Sequence, residues 1–434
     1  MAAVKAKRLR NLELITPTTL IVGVDGHSKS NTSAFTLASG KEALSPKKFE
    51  NNRKGFLWFL SKVEWITKKH GLDNVVFVLE PNGPYWMLLA RFLLERNHTV
   101  KVVNAYQVKM NRATEDPSPE KNDTRDARSI ADLGRQGKFN DTTPPEPVYA
   151  DLRSLGRTRE GLIEHRSAQK HRLRAMLVRA FPELRSVVSD ILGKSVSALL
   201  RIAPTAGAVA SLGVEGVEQI IKAASRGRFG KKKAKEIVCA AQDSVGYGVA
   251  SSAAHVEMQA ILNTVEALSR EIEAIETEMS RLLTETEEGE LVLSIPGIGA
   301  VTAAIVLGET GGIRQYQNPN QIRKLAGLDL CGSQSGDRQS EKRISKRGRA
   351  LLRKSLYQAA VACIRSNSVL GGFYRGLIGG DRKKPLAKKK ALIAVMGKLV
   401  EIMFSLVRRG TGFDPNYKWM PPGKYEPAVE GIAA

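Results

Sequence analysis

The feature that most constrains the fold is a run of apolar residues spaced alternately three and four positions apart. Its eight members, here called the seam, are Met258, Ile261, Val265, Leu268, Ile272, Ile275, Met279 and Leu282. This spacing aligns them along one face of a single helix about 37 Å long. One helix cannot bury such a face alone, so it needs a partner helix. The partner can be another helix of the same chain, in an antiparallel hairpin, or a helix of a second subunit.

Strands alternate with helices before the seam, which predicts a sheet covered by helices. The predicted strands are Leu20–Asp25, Thr32–Leu37, Ala43–Phe49, Asn74–Leu79 and Thr99–Asn104. The predicted helices of this region are Phe56–Lys69 and Tyr85–Arg96. From about residue 148 the pattern becomes almost entirely helical, beginning with a helix over Leu152–Phe181. The predicted fold class is therefore α/β followed by α.

Changes in composition divide the chain into five segments. We predict a basic tail over residues 1–17 and an α/β domain over 18–147. A helical region of coiled-coil type over 148–288 includes the basic cluster Arg226–Lys235. A mainly helical domain over 289–410 and an extended, proline-containing tail over 411–434 complete the chain.

The charge of the chain indicates nucleic acid as its partner. Its 67 Lys and Arg exceed its 44 Asp and Glu, which gives a net charge of +23. The excess is concentrated between Asp337 and Arg409, where 19 basic residues accompany four acidic ones. A basic run is often only a solvated face, but here it alternates with apolar residues at helical spacing. Such a folded basic surface is typical of proteins that bind phosphate backbones.

The cysteines and the hydropathy of the chain exclude other classes of protein. Cys239, Cys331 and Cys363 are an odd number without paired spacing, which argues against a disulfide framework and a cysteine zinc site. This usage fits a reducing cytoplasm. No apolar run reaches the roughly 18 residues of a membrane span, so we expect no membrane partner and no signal peptide.

Four carboxylates stand where secondary structure can bring them together. Asp25 and Glu80 end predicted strands, and Asp123 and Asp126 lie three residues apart at the start of a predicted helix. An acid at a helix start is often only a cap, which can account for Asp123 but not for Asp126. Together the four would form an oxygen-rich pocket suited to two Mg²⁺ ions. Histidine is not a preferred Mg²⁺ ligand, and we interpret His27 as a packing or hydrogen-bonding residue.

A glycine-rich turn precedes the basic region. The sequence Ser294-Ile-Pro-Gly297-Ile-Gly299 resembles the hairpin of a helix-hairpin-helix motif, in which backbone N–H groups approach a phosphate. A plain connection between two helices is the alternative. The residues that we expect to contact nucleic acid are Gly297, Gly299, Arg338, Lys342, Arg343, Lys346, Arg347, Arg349, Arg353, Lys388, Lys389 and Lys390.

A polar loop follows the turn and contains several serines. Ser333, Ser335 and Ser340 can all be turn residues. No neighbouring base pattern identifies one of them as a nucleophile, so the residues alone do not assign a reaction to this loop.

Taken together, these motifs resemble the DEDD-type transposases of the insertion sequence 110 family, relatives of the Piv-type DNA invertases. The resemblance covers nearly the whole chain and depends on the order and separation of the motifs. They are Gly23-Val-Asp25, Glu80-Pro-Asn-Gly83, Lys121-Asn-Asp123-Thr-Arg-Asp126-Ala127, Ser294-Ile-Pro-Gly-Ile-Gly299, Ala326-Gly-Leu328, Ser335-Gly336, Ile344-Ser-Lys-Arg-Gly348 and Leu352-Arg353.

The resemblance implies a RuvC-like, ribonuclease-H-type domain that holds Mg²⁺, or Mn²⁺, on Asp25, Glu80, Asp123 and Asp126. It also implies that Ser335, in a C-terminal transposase domain, attacks a DNA phosphodiester and forms a transient phosphoserine link. The two domains would complete one site between subunits of a dimer or tetramer. The family acts on donor and target DNA with a noncoding guide (bridge) RNA, in the bacterial or archaeal cytoplasm at the nucleoid.

Two other functions compete with this expectation. One is a nuclease or invertase without an RNA guide, such as a junction resolvase that uses only the four carboxylates and water. The other is a non-catalytic nucleic-acid-binding protein. A covalent protein–DNA adduct separates the transposase from the nuclease, and metal-dependent strand cleavage separates both from the binding protein.

Overall fold

The structure, a computed structural model, describes residues 8–81, 83, 85–115, 122–141, 146–247, 251–331, 334–335, 338–339, 343–379 and 386–416. The chain divides into two compact units, Met1–Pro144 and Pro145–Ala434. Most of the tail predicted over 411–434 lies outside the described residues, as does the start of the tail predicted over 1–17.

The first unit is built on a six-stranded sheet. Its strands are β1 (Thr19–Gly26), β2 (Ser30–Leu37), β3 (Glu42–Glu50), β4 (Asn74–Leu79), β5 (Thr99–Val102) and β6 (Asn140–Asp141). Their spatial order is β3-β2-β1-β4-β5-β6, with β1, β4 and β5 parallel and the other neighbours antiparallel. The five strands predicted from the sequence are confirmed. The sixth has only two residues, too few for a recognisable alternation.

Helices cover both faces of this sheet. They are α1 (Arg53–His70), α2 (Trp86–Leu94), α3 (Ala105–Glu115) and α4 (Asp123–Arg135). Side chains alternate along β1, so that Leu20, Val22 and Val24 pack in a cluster with apolar residues of α1 and α2. Ile21 points the other way and packs with Ile130 of α4. Residues of β1 at odd positions therefore face α4, which decides where Asp25 points.

A short helical segment at residues 8–12 docks on the first unit. The amide Nδ2 of Asn11 donates hydrogen bonds of 2.9 Å to the backbone oxygens of Gly137 and Phe139. Asn11 is buried as a result. This part of the predicted basic tail is thus held by backbone acceptors 126 and 128 residues away in the sequence.

The second unit is mostly helical. Its helices are α5 (Pro147–Ala180), α6 (Leu184–Val187), α7 (Lys194–Ile202), α8 (Ala206–Ala224), α9 (Lys231–Gln242), α10 (Ser251–Thr284), α11 (Glu287–Leu293), α12 (Ala300–Thr310), α13 (Pro319–Leu325), α14 (Ala350–Ser366), α15 (Ser368–Ile378) and α16 (Lys388–Arg409). Four two-residue strands pair between α13 and α14: β7 (Leu330–Cys331), β8 (Gln334–Ser335), β9 (Arg338–Gln339) and β10 (Arg343–Ile344). A mixed α/β region followed by a mostly helical one is the fold class predicted from the sequence.

Two hydrophobic cores form inside the second unit. One joins the start of α5 and the end of α10 to the helices from α11 onward, with Leu152, Met279 and Leu356 among its members. The other joins the end of α5 and the start of α10 to helices α6–α9, with Leu177 and Met258 among its members. The long helices α5 and α10 therefore run through both cores.

The seam finds its partner within the chain. Helix α10, which carries the seam, packs along α5 in antiparallel orientation. Cross-helix pairs mark the direction: Arg159 with Glu276 near one end and Arg179 with Glu257 near the other. The eight seam residues are buried or half-buried in this pairing. Of the two partners that the spacing allowed, the structure shows the intramolecular hairpin.

Charges placed in the seam should therefore destabilise the fold of the second unit. We expect Leu268→Glu with Ile272→Lys to lower the free energy of unfolding by about 3 kcal/mol, because Ile272 is almost fully buried. Urea unfolding followed by circular dichroism measures this loss. The matched control, Thr264→Glu with Thr277→Lys on exposed positions of the same helix, should stay within about 0.5 kcal/mol of the wild type. A double seam variant as stable as this control would contradict the intramolecular pairing.

No single helix among the described residues is both long enough and apolar enough to span a membrane. Helices α7 and α8, bent by 112° at their junction, meet both requirements only when taken together.

Candidate active site

The first two predicted carboxylates lie at one edge of the sheet in the first unit. Strands β1 and β4 are parallel, and their register places Val24 opposite Leu79. Asp25 and Glu80 follow these partners, and the Glu80 N–H donates a hydrogen bond of 3.4 Å to the Val24 carbonyl oxygen. Asp25 is only 4% exposed. The ends of the two parallel strands thus place Asp25 and Glu80 at the same edge of the sheet.

A glycine in β1 allows helix α4 to reach this edge. A Cβ on Gly23 would lie 2.3 Å from the backbone nitrogen of Ala131 and 2.4 Å from the backbone oxygen of Ala127. Only a residue without a side chain permits α4 to pack so closely on the strand. Asp126, next to Ala127 in the first turn of α4, is 4% exposed as a result.

Asp123 is not the cap of its helix. The side chain of Asn122 takes that role, and its Oδ1 accepts a hydrogen bond of 2.9 Å from the Thr124 N–H. The Asp123 carboxylate instead faces the imidazole of His27, with 3.9 Å between Oδ1 and Nε2. The same Nε2 lies 4.0 Å from Oδ2 of Asp25.

Asp25, His27 and Asp123 form the candidate metal centre. Each offers one ligand atom, and these atoms lie within 4.8 Å of one another. Two carboxylate oxygens and an imidazole nitrogen are donors that a divalent cation such as Mg²⁺ or Mn²⁺ accepts. His27, interpreted from the sequence as a packing or hydrogen-bonding residue, lies within about 4 Å of both carboxylates. Its position two residues after a strand-end acid is the sequence signal for this proximity.

The other two predicted ligands stand beside this group. The Asp126 carboxylate accepts a hydrogen bond of 2.5 Å from Nη1 of Arg112, a half-buried residue of α3. Among the described residues, the group within 4.8 Å does not include Glu80 or Asp126. The site therefore combines three clustered donors with a buried carboxylate that already has a cationic partner.

Ser335 belongs to a small hairpin in the second unit. Strands β8 and β9 pair antiparallel, with Ser335 opposite Arg338. Strands β7 and β10 pair at the base of this hairpin. Residues 336–337 and Lys342 lie outside the described residues, and of Ser335 and Arg338 only the backbone is described.

Backbone hydrogen bonds hold the base of the hairpin. The Ser345 N–H donates to the Asp329 oxygen at 2.7 Å, and the Lys346 N–H donates to the Gly327 oxygen at 3.0 Å. The guanidinium of Arg353 donates to the backbone oxygens of Ala326 and Lys346 at 3.0 and 3.3 Å. Arg353 is expected from the sequence to contact nucleic acid. In the structure its guanidinium links the two backbone segments that flank the hairpin containing Ser335.

Arg349 also has a protein partner, the buried carboxylate of Glu309. Glu309 is 1% exposed and accepts a hydrogen bond of 2.8 Å from Nε of Arg157. Arg349 places Nη1 3.6 Å from the same carboxylate, and neighbouring Arg153 donates to the Gly308 oxygen. Burial lowers the pKa of Arg349, and burial with the nearby Arg349 charge lowers the pKa of Arg153 to about 10. This cluster anchors the start of α14.

The remaining residues that the sequence predicts to contact nucleic acid are found in two settings. Gly297 has a φ of 99° and packs on α14, where a Cβ would lie 2.9 Å from Cα of Cys363. Gly299 is exposed and precedes α12, whose N-terminus has no side-chain cap. The exposed basic residues are Arg343, Lys346, Arg347, Lys388, Lys389 and Lys390.

Comparison with known proteins identifies related sequences across the chain. A family model for DEDD transposases of the IS110 type, described as a transposase, matches residues 22–182. A second model, described as the transposase IS116/IS110/IS902 family, matches residues 289–375. The first match contains the four carboxylates of the first unit, and the second contains Ser335 and Arg349.

Individual relatives extend over much of the same sequence. A protein of insertion element IS116 from Streptomyces clavuligerus is 22% identical over 91% of this chain and 96% of its own length. A protein of insertion element IS110 from Streptomyces coelicolor is 21% identical over 71% of this chain and 75% of its own. The transposase of insertion sequence IS1328 from Yersinia enterocolitica is 28% identical over 34% of this chain and 43% of its own. With both family models matched in order, the chain belongs to the IS110 family of insertion-sequence transposases.

Proposed function

We propose that this protein is a recombinase that cuts and rejoins DNA strands through a phosphoserine intermediate on Ser335. The observation that carries its metal-dependent part is the grouping of Asp25, His27 and Asp123 within 4.8 Å in a transposase-family chain. The serine step depends on the family match over residues 289–375, which contains Ser335. In the reaction, the Ser335 oxygen forms a bond to phosphorus while one phosphorus–oxygen bond of the strand breaks. The departing oxygen takes a proton and becomes a hydroxyl. A hydroxyl of another strand then displaces Ser335 and rejoins the DNA.

We propose that the first unit is a RuvC-like domain whose acids hold Mg²⁺, or Mn²⁺, in up to two positions. When bound, such ions stabilise the negative charge that develops on phosphoryl oxygens. Asp25 and Asp123 hold the ion through hard oxygen donors, and Glu80 lies at the same edge. Arg112 donates a hydrogen bond to the Asp126 carboxylate and holds it in place at the start of α4.

We also propose donor DNA, target DNA and a noncoding guide RNA as partners. Exposed lysines at the start of α16 and exposed basic residues of the segment 343–347 offer charge to phosphate backbones. The sequence contains no base-reading motif, which fits a division of labour in which RNA pairing selects the sequence. A composite site between subunits of a dimer or tetramer, in the bacterial or archaeal cytoplasm, completes the proposal.

A trapping experiment tests the serine step. We expect full-length protein, incubated with its guide RNA, element-end DNA and Mn²⁺, to yield a covalent protein–DNA adduct after rapid denaturation. Mass spectrometry should locate the DNA on the peptide that contains Ser335. The adduct should be lost in Ser335→Ala and retained in Ser333→Ala, a neighbouring serine of the same loop. An adduct that survives in Ser335→Ala would overturn the assignment.

A nuclease that uses only the carboxylates and water is the second candidate. It is favoured by the fact that the clustered donors all belong to the first unit. For this function the trapping experiment yields cut DNA and no adduct in wild type, and Ser335→Ala cuts as fast as the wild type.

A further inference from the structure

Helices α6–α9 lie between the two segments that the family models match, residues 22–182 and 289–375. This region contains the basic cluster that the proposed reaction does not use. Residues 222–235 include seven Lys and Arg and no acid. The region folds around its own hydrophobic core, so these charges are carried on a defined surface.

A cleft of about 850 Å³ opens on this surface. The basic residues that line it come from three places in the sequence and are Arg185, Lys194, Arg226, Arg228 and Lys233. Asp190 is the acid in the lining, and Lys170 approaches it to 3.9 Å. Lys233 pairs with Glu236 at 2.8 Å. The cleft therefore carries a strong excess of positive charge.

Four of these cations lack a protein counter-charge. Within the part of the chain that the structure describes, no carboxylate lies within 4.0 Å of Arg185, Lys194, Arg226 or Arg228. Like charges collected around one cavity repel one another, and an anionic ligand relieves that repulsion. Phosphate is an anion that both arginine and lysine commonly bind in proteins.

The wall of the cleft also has an apolar part. Val187, Val188, Val196 and Phe229 line it beside the cations. The guanidinium of Arg228 lies 5.6 Å from the centroid of the Phe229 ring, so a cation and an aromatic face stand side by side. The Phe229 N–H donates to Oγ of Ser225 at 2.9 Å, which fixes the backbone beneath the ring. A ligand that suits both parts needs a flat apolar face next to a phosphate.

We propose that this cleft binds an unpaired nucleotide of a single-stranded nucleic acid. The base would lie on the apolar wall, and the flanking phosphates would contact Arg226 and Arg228. A duplex fits less well, because its bases are stacked inside and it presents only phosphates to such a wall. The binding site goes beyond strand exchange and does not depend on the Ser335 mechanism.

Photo-crosslinking of the full-length protein tests the site locally, although other surfaces also bind nucleic acid. Single strands that carry 5-iodouridine or 5-iododeoxyuridine are irradiated with the protein, and the attachment point is mapped by mass spectrometry. We expect a crosslink on the segment that contains Phe229. The RNA and DNA strands, used separately, show which of the two the cleft accepts. Unlabelled single strand should compete with this crosslink, and an equal concentration of duplex should not.

Two charge-matched variants separate the cleft from general charge. Arg226→Gln with Arg228→Gln removes two lining cations, and we expect its crosslink yield to fall about fivefold or more. Lys231→Gln with Lys232→Gln removes the same charge from neighbouring exposed residues outside the lining, and its yield should change less than about twofold. Thermal unfolding confirms that both variants are folded. Equal losses in the two variants, effective competition by duplex, or no crosslink on this segment with either strand would overturn the proposal.

Discussion

Asp126→Asn should abolish metal-dependent strand exchange while the protein stays folded. The substitution removes a buried anionic oxygen from the first turn of α4, the turn that also carries Asp123, and we expect the rate to fall about a hundredfold or more, as when other preorganised charged groups are lost. The thermal midpoint should change little. The variant loses the ion pair with the half-buried Arg112, but the amide oxygen that replaces the carboxylate oxygen can still accept the Arg112 hydrogen bond. Strand exchange in Mg²⁺ and thermal unfolding, measured on the same preparation, give both quantities.

Asp132→Asn is the control for this substitution. Asp132 lies on the same helix, but its carboxylate pairs with Arg135 instead of facing the sheet edge. Its loss should leave the rate of strand exchange within a factor of about three, because the residue has no part in the reaction. Wild-type rates in Asp126→Asn would contradict the assignment of this acid to the site.

Gly23→Ala should damage both the fold and the metal centre of the first unit. A Cβ at 2.3 Å from a backbone nitrogen of α4 forces the helix away from β1. Overpacking of this kind lowers the free energy of unfolding by about 1–3 kcal/mol, and the clash here is with backbone atoms, which have less freedom to move than side chains. A displaced helix also carries Asp123 away from Asp25, so Mn²⁺ affinity should fall about tenfold or more. Thermal unfolding and titration calorimetry with Mn²⁺ measure the two effects independently of activity.

Gly161→Ala provides the matched control. Gly161 lies within helix α5, and a Cβ there meets no atom within 4 Å. Replacing a helical glycine by alanine should raise stability by about 0.5–1 kcal/mol and leave Mn²⁺ binding unchanged. If Gly23→Ala behaved like this control, the close approach of α4 to β1 would not be what brings the acids together.

The sequence was most informative where one periodicity dominates. The strands before Asp25 and Glu80 are continuous apolar runs, and the seam repeats without interruption, so the existence of these elements could be predicted. The convergence of Asp25 with Asp123 could be anticipated from strand ends and helix starts. The seam's partner could not, because spacing describes one helix and not the helix that it meets.

Contacts between distant residues account for what the sequence did not reveal. Arg112 pairs with Asp126 across 14 residues, and Arg349 reaches Glu309 across 40. From the sequence alone, a basic residue can be assigned equally well to a phosphate or to a buried carboxylate. Only the fold shows which of the two it contacts. The sequence predicts a packing or hydrogen-bonding role for His27, and only the fold shows that its imidazole lies beside the carboxylates of Asp25 and Asp123.

The helix pair α5 and α10 has a consequence for how this protein can vary. Between Gly156 and Leu173, helix α5 has no fully buried residue, so the two cores of the second unit are joined there by a stalk formed by the paired helices α5 and α10. Each core can then accept insertions or exchanges without disturbing the packing of the other. Lengthening the stalk by seven residues in both helices would move the cores about 10 Å further apart. The length of the stalk thus sets the distance between the two cores, and it can change without altering the residues packed in either core.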